Sequence, residues 1–324
     1  MKRREFITLL GGAAGWSVTA RAQQGALPVI GYLSSVAENE TRSVVAAFRQ
    51  GIGEQGFVEG RNVEVLYRFA ENKNERLPDL AADLVRRRVA VIFANTGPAS
   101  LAAKKATATI PIVFYAGVDP VQAGLVASLN RPGGTVTGVT DFNVELTAKR
   151  LQLLHDIAPA ATSIGYLHFP IDPAVDDAAI TGVVETAART LGVRLVTASA
   201  SSASEIERAF AVLVGEGIGA VLLGVSVITP RQIIALAAHY ALPAMYPNRN
   251  FVEAGGLISY RGNPLEAARI AGTYVGLILK GENPADLPVQ QSTRIEMVLN
   301  LKTAKALGLN VPQSILLRAD AVIE

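Results

Sequence analysis

From Leu27 onward the chain alternates short runs rich in Val and Ile with longer stretches of helical spacing, and few folds accept that alternation. A short branched run bounded by turn residues fits a strand covered on both faces. The amphipathic stretch after it fits the helix that crosses back to the next parallel strand. The strand signals fall at Val29–Leu33, Val63–Tyr67, Val89–Ala94, Ile112–Phe114, Ile164–Leu167, Leu195–Thr197, Ala220–Gly224 and Gly256–Ser259. Helical spacing runs through Val44–Glu54, Leu77–Arg87, Glu145–Ile157, Ala178–Leu191, Glu205–Val214 and Leu265–Leu279. The pattern predicts an α/β fold with parallel sheets.

Helix starts carry a recurrent signal. Asp119-Pro120, Asp172-Pro173, Thr229-Pro230 and Asn263-Pro264 each set an N-cap side chain before a proline whose fixed φ suits the first helical position, and Thr96-Gly97-Pro98 does nearly the same. Several follow a strand within a few residues, so strand carboxyl ends and helix N-termini are expected to share one sheet edge.

A chain of 324 residues exceeds the roughly 100–200 residues of one domain, and the units fall into two sets. Residues 27–140 form the first. The turn-rich Asn130-Arg131-Pro132-Gly133-Gly134 leads into the second, up to residue 248. Two strand–helix pieces remain after it. They predict that 249–287 return to the first lobe, and that 288–324, with a strand at Arg294–Leu299 and a helix at Leu301–Leu307, join 141–248 in the second.

The first 22 residues read as an address. Lys2-Arg3-Arg4-Glu5-Phe6 opens a Gly- and Ala-diluted apolar run that ends in Ala20-Arg21-Ala22, which predicts an export signal of twin-arginine type, or else of the general secretory type, cut after Ala22. The run is too short and too dilute for the roughly 20 apolar residues of a spanning helix. The predicted location is the periplasm. The leader also carries the net charge. With it the chain is +2; without it 26 basic residues face 27 acidic ones, which leaves no basic footprint for nucleic acid.

Several chemistries drop out. With no cysteine and three histidines in unrelated contexts, neither a thiol nucleophile nor a metal site is expected, and no cofactor motif survives inspection. Gly51-Ile52-Gly53-Glu54-Gln55-Gly56 matches the dinucleotide fingerprint in letters. It sits at the end of a helix, however, where a phosphate would meet carbonyl oxygens, so it is read as helix termination with Gly56 left-handed. Gly224-Val225-Ser226-Val227-Ile228 lacks the second glycine of a nucleophile elbow, and no Ser has a His partner in view.

What remains is a set of small polar and aromatic residues at strand carboxyl ends, where open α/β sheets bind ligands. The candidates are Ser34, Ser35, Asn95, Thr96, Gly97, Tyr115, Ala116 and Asp119 in the first set, then Thr140, Asp141, Phe169, Ser226, Tyr246 and Asn248. Ser35 and Thr96 beside free backbone N–H groups suit a carboxylate. Tyr115, Phe169 and Tyr246 could sandwich a flat ligand. Each has a plainer reading as helix cap or core.

The leader, Arg76-Leu77-Pro78 through Val85-Arg86-Arg87, Ile110-Pro111-Ile112-Val113-Phe114 with Asp119-Pro120-Val121, and Ala127-Ser128-Leu129-Asn130-Arg131-Pro132-Gly133-Gly134 together resemble one group. So do Phe251-Val252-Glu253-Ala254-Gly255-Gly256-Leu257 and Asn300-Leu301-Lys302-Thr303-Ala304-Lys305-Ala306-Leu307-Gly308. The chain is similar throughout to the ABC transporter substrate-binding proteins that include tryptophan-binding-like members. The resemblance implies a type I periplasmic binding architecture, with two Rossmann-like lobes joined by three hinge crossovers. It also implies a monomer that captures an aromatic or related amino acid without chemical turnover and hands it to an inner-membrane permease. The first-lobe loops would hold the ligand's carboxylate and ammonium, and Phe169, Ser226, Tyr246 and Asn248 would close over it. A sensor subunit using the same jaw and a periplasmic enzyme are the competing readings. A LacI-like repressor fails because a leader stands where its DNA-binding helices belong.

Overall fold

The computed structural model describes residues 27–141, 146–169, 177–224 and 230–324. In chain order the strands of the first sheet are β1 (Val29–Ser34), β2 (Glu64–Phe69), β3 (Val91–Asn95), β4 (Ile112–Ala116) and β5 (Val136–Thr140), with helices α1 (Arg42–Glu54), α2 (Leu77–Arg86) and α3 (Gly97–Ala106) between them. The second group holds α4 (Leu146–Ile157), β6 (Ser163–His168), α5 (Asp177–Leu191), β7 (Arg194–Ser199), α6 (Ala203–Gly215), β8 (Ala220–Leu223), α7 (Pro230–His239), β9 (Ala244–Tyr246), α8 (Arg249–Glu253) and β10 (Ile258–Gly262). The chain finishes with α9 (Pro264–Leu279), β11 (Gln290–Gln291), β12 (Ile295–Asn300), α10 (Leu301–Ala306), α11 (Gln313–Leu316) and β13 (Ala321–Ile323).

The strands form two sheets. The first runs β2-β1-β3-β4-β5-β11, parallel throughout, and the second runs β7-β6-β8-β9-β10-β12-β13, parallel except where β10 meets β12. Both begin with the same doubly wound order, so each lobe reverses direction beside its own first strand, and that reversal opens a crevice at the strand carboxyl ends. In the first lobe the crevice lies between β1 and β3, at Ser34-Ser35 and Asn95-Thr96.

Alternation along each strand feeds two cores per sheet. Ile30 and Tyr32 of β1 and Val113 and Tyr115 of β4 pack under α1 and α9, while Leu33, Ile112 and Phe114 pack under α2 and α3. In the second lobe Tyr166, Leu222, Met245 and Ile258 face α4, and Leu167, Leu223 and Tyr246 face α6 and α7.

Three features differ from the expectation. Strand β10 pairs with β9 and β12 in the second sheet, so within the 249–287 segment the return to the first lobe begins at α9 and continues through the 284–287 turn, and β11 at residues 290–291 extends the first sheet rather than the second. The strand's apolar pattern suits either sheet. The following α9 returns to the first lobe, where its small residues Ala268, Ala271, Gly272 and Gly276 allow a close approach to α1 and its C-terminal turn. Asp119-Pro120 opens turns and no helix. Gly56 is left-handed as expected (φ +87°), but Gly51 has a further duty, since a Cβ there would stand 2.0 Å from the Arg269 carbonyl oxygen on α9.

The chain crosses between the sheets after Asp141, at Gly262-Asn263 and between Ser292 and Arg294. These passages are laced together: Ser292 N donates to Thr140 O (2.8 Å), Asn263 N to Arg294 O (2.7 Å), and Ser292 Oγ to Glu266 Oε2 (2.6 Å). Among the described residues no helix is long and apolar enough to span a membrane.

Candidate functional site

A cleft of about 630 Å³ opens between the two sheets. Its first-lobe wall carries Thr41 and Val44 at the start of α1, then Asn95, Thr96 and Tyr115 at the ends of β3 and β4. Its second-lobe wall carries Asn248, Arg249, Phe251 and Arg261, with Asn263 and Pro264 at the crossover. Of the residues expected from sequence, Asn95, Thr96, Tyr115 and Asn248 therefore line one cleft.

Thr96 has the most constrained backbone there. It adopts φ +145° and ψ 159°, a region open to glycine and costly for a branched residue by about 1–3 kcal/mol. The strain points its hydroxyl to two uses: Oγ1 accepts from Ser35 Oγ at 3.0 Å and from Ala99 N at 3.4 Å, capping α3. Gly97 follows as the first residue of α3, with open space where a Cβ would stand. Asn95 donates to the Tyr32 phenol at 2.9 Å, which fixes its amide beside the cleft.

The floor of the cleft is charged and buried. Tyr115 Oη donates to Asp141 Oδ2 at 2.9 Å, and Arg261 Nη2 donates to the Tyr115 oxygen at 2.8 Å and to Asp141 Oδ2 at 3.3 Å. Arg261 Nη1 donates to the Asn248 side-chain oxygen, and Nε to Gly262 O at 3.2 Å. Burial pushes the Tyr115 phenol far above its ordinary pKa against the opposing pull of Arg261, so it stays a neutral donor. Burial works against the Arg261 charge, but Tyr115 and Asp141 outweigh it and the net direction is upward. The Asp141 side chain is fully enclosed, and its Oδ1 has no hydrogen-bond partner among the described residues. Beneath lies Arg150, wholly buried, with Nε on Tyr260 O at 2.7 Å; burial first, and the Arg261 charge second, lower its pKa to about 10.

The other expected residues sit elsewhere. Ser34 and Ser35 are fully buried, and Ser34 Oγ accepts from Val36 N at 3.1 Å, so the first hydroxyl stabilises its own turn. Ala116 is buried on β4, and the Thr140 hydroxyl donates to Val118 O at 3.2 Å. Asp119 Oδ1 accepts from Val121 N at 2.8 Å and Gln122 N at 3.2 Å, the plainer turn-forming reading. Phe169 and Tyr246 pack inside the second-lobe core, where Tyr246 stacks on Phe251 at 5.1 Å between centroids. Of that pair it is Phe251 that reaches the cleft. Ser226 lies outside the described residues.

Arg261 was missed from sequence. Its signal was a cation closing the apolar run Leu257-Ile258-Ser259, immediately before Gly262-Asn263-Pro264, where a strand end meets a helix cap. Asn248 has a related peculiarity. It stands at the N-cap of α8 yet makes no side-chain cap bond, because its oxygen faces Arg261.

Two doubly wound lobes, three crossovers and a cleft lined from both sides define a two-lobed binding protein of the type I periplasmic architecture. The profile of the ABC transporter substrate binding protein family matches residues 30–323, and the chain belongs to that family. It is 27% identical over 265 residues to a tyrosine-binding protein of Clostridioides difficile, covering 81% of this chain and 75% of that one. The fold superposes with a TM-score of 0.84 on an ABC domain from Streptococcus pneumonia in complex with L-Trp, at 24% identity over 92% of this chain and all of the other. A ligand-free, open structure of a substrate binding protein with adhesive properties from Clostridium difficile gives 0.68, at 26% identity over 92% of this chain and 99% of that one.

Proposed function

We propose that this substrate-binding protein captures an aromatic amino acid in the periplasm by closing its two lobes on it, and presents the closed form to an ABC permease for import. The observation that carries the reading is the Arg261–Tyr115–Asp141 bonding, in which a second-sheet side chain grips a first-sheet tyrosine and the aspartate at the first crossover, at the floor of a cleft lined from both sides. The fit to the L-Trp complex is closer than the fit to the ligand-free open relative, which supports taking the present arrangement of the lobes as the closed one. Open and closed forms of such a jaw differ by a few kcal/mol, and a ligand favours closure because only the closed form lets both lobes touch it.

The chemistry of the walls suits a zwitterion with a flat side chain. The Thr96 hydroxyl and the Gly97 N–H that opens α3 supply donors for a carboxylate. The carboxylates that line the cleft, Glu40, Glu253 and Glu296, are the acceptors open to an ammonium group. Tyr115 and Phe251 offer apolar faces. The leader ahead of residue 23 supports export with cleavage after Ala22, and the lobes suffice as a monomer.

Mass spectrometry of small molecules released from the freshly purified protein, followed by a thermal-shift panel, tests the reading. L-Tryptophan or L-tyrosine at 100 times its dissociation constant adds about 2.7 kcal/mol of stability. A melting point unmoved by every aromatic amino acid contradicts the assigned ligand class.

A further inference from the structure

We propose that Arg261 is a positioning residue for ligand capture: its guanidinium gathers Tyr115 and Asp141 of the first lobe and Asn248 of the second into one cluster that sets the closed geometry of the cleft wall. The inference rests on the jaw reading above and assigns the closing contact within it.

Opening the jaw requires some bonds to break and others to persist. The backbone bonds Ser292 N to Thr140 O and Asn263 N to Arg294 O lie within the crossovers themselves, so they can survive a rotation about that axis. The Arg261 bond to Tyr115 differs, because it runs from strand β10 of one sheet to the end of β4 of the other, while Asp141 stands beside it at the first crossover. Tyr115, Asn248 and Arg261 also line the cleft, so a ligand seated there rests on groups whose positions this guanidinium fixes. Arg261 keeps 18% side-chain exposure while the Asp141 side chain has none, so the arginine is the member of the pair that can withdraw into solvent as the lobes part.

The surrounding sequence accommodates the cluster. A Cβ at position 262 would stand 2.4 Å from Asp141 Cβ, so glycine there lets the carboxylate sit against β10. Asn248 gives up capping α8 to accept from Arg261. A planar fork can serve Asn248 on one nitrogen and Tyr115 with Asp141 on the other; a lysine ammonium in that place cannot span them.

The chain has no cysteine, so Lys105→Cys and Arg208→Cys, on exposed positions of α3 and α6, take a fluorophore pair that reports lobe separation. The comparison is made on the full chain, first without ligand and then with L-tryptophan and L-tyrosine. Arg261→Gln is expected to remove the short-distance, closed fraction from the ligand-free ensemble, to lengthen the distance with ligand bound, and to weaken binding by about tenfold or more, mainly through faster release. Arg261→Lys is expected to fall between the two, and it serves alone if the glutamine variant does not fold. The double variant Asp141→Asn/Arg261→Gln separates positioning from charge balance. With no buried carboxylate left unpaired it recovers melting temperature yet keeps the longer distance. An undiminished closed fraction in the ligand-free Arg261→Gln ensemble, or a double variant that regains the short distance, overturns the proposal. If neither amino acid binds the unsubstituted protein, the assigned ligand class fails, and the ligand-free distances still decide the role of Arg261.

Discussion

The contact between α1 and α9 holds the returning helix on the first lobe, and it depends on glycines that cannot be replaced. Gly51→Ala places a Cβ 2.0 Å from the Arg269 carbonyl oxygen, against the 3.0 Å below which such contacts are essentially never seen. Gly272→Ala places one 2.3 Å from Phe48 O. Both obstacles are backbone, so no side-chain rotation relieves them and the helices must separate. Separation loosens Phe48, Ile52, Ala268, Ala271 and Val275, all of which are buried beside the contact. Overpacking of this kind costs about 1–3 kcal/mol, and rigid neighbours place it at the upper end. Alanine returns up to about 1 kcal/mol through helix propensity. A net loss of about 2 kcal/mol is expected, or roughly 5 °C in Tm. The control is two residues away: Gly53 is exposed with nothing within 4 Å, so Gly53→Ala is expected to raise stability by about 0.5 kcal/mol. Thermal and urea unfolding followed by circular dichroism read both. If Gly51→Ala proves as stable as Gly53→Ala, the steric argument is refuted.

Thr96→Gly relieves the strained backbone, removes the hydroxyl between Ser35 and α3, and is expected to raise stability by about 1 kcal/mol while weakening ligand affinity; a calorimetric titration beside a melting curve reads both signs. Arg150→Ala leaves the Tyr260 carbonyl without its donor and opens a cavity, so a loss of about 3 kcal/mol or more is expected in urea unfolding. Hydrogen bonds from Arg68 and Arg87 lower the pKa of Asp83 from 3.8 to about 2. A lowered carboxylate pKa stabilises the fold above the unfolded value, so that contribution is complete above about pH 4 and is lost as the pH falls towards 2. Asp83→Asn is expected to flatten stability over that interval and change little else.

The two-lobed α/β plan was legible because strands covered on both faces leave continuous apolar runs, and capped helix starts mark the sheet edge they open on. Thr96-Gly97-Pro98 and Asn263-Pro264 began α3 and α9 as read. Asp119-Pro120 has the same letters, but its cap bonds close a turn because no helical run follows. What stayed hidden depends on partners far apart in the chain. Nothing local assigns β10 to one sheet over the other, and the duty of Gly51 is visible only once α9 lies against it. Aromatics at strand ends suit either a ligand wall or the core. Tyr246 and Phe169 turn to the core, because a strand end places alternate side chains on opposite faces and spacing alone does not say which face the cleft uses. Arg261 was invisible for a related reason: its partners Tyr115 and Asp141 precede it by more than a hundred residues.

The most direct test of capture by closure is a small-angle scattering titration of the unsubstituted protein with L-tryptophan and L-tyrosine. Two lobes shutting on one solute predict a radius of gyration that falls with ligand and levels off at one molecule bound. Saturable binding with a constant radius, beginning from the open dimensions, would contradict it.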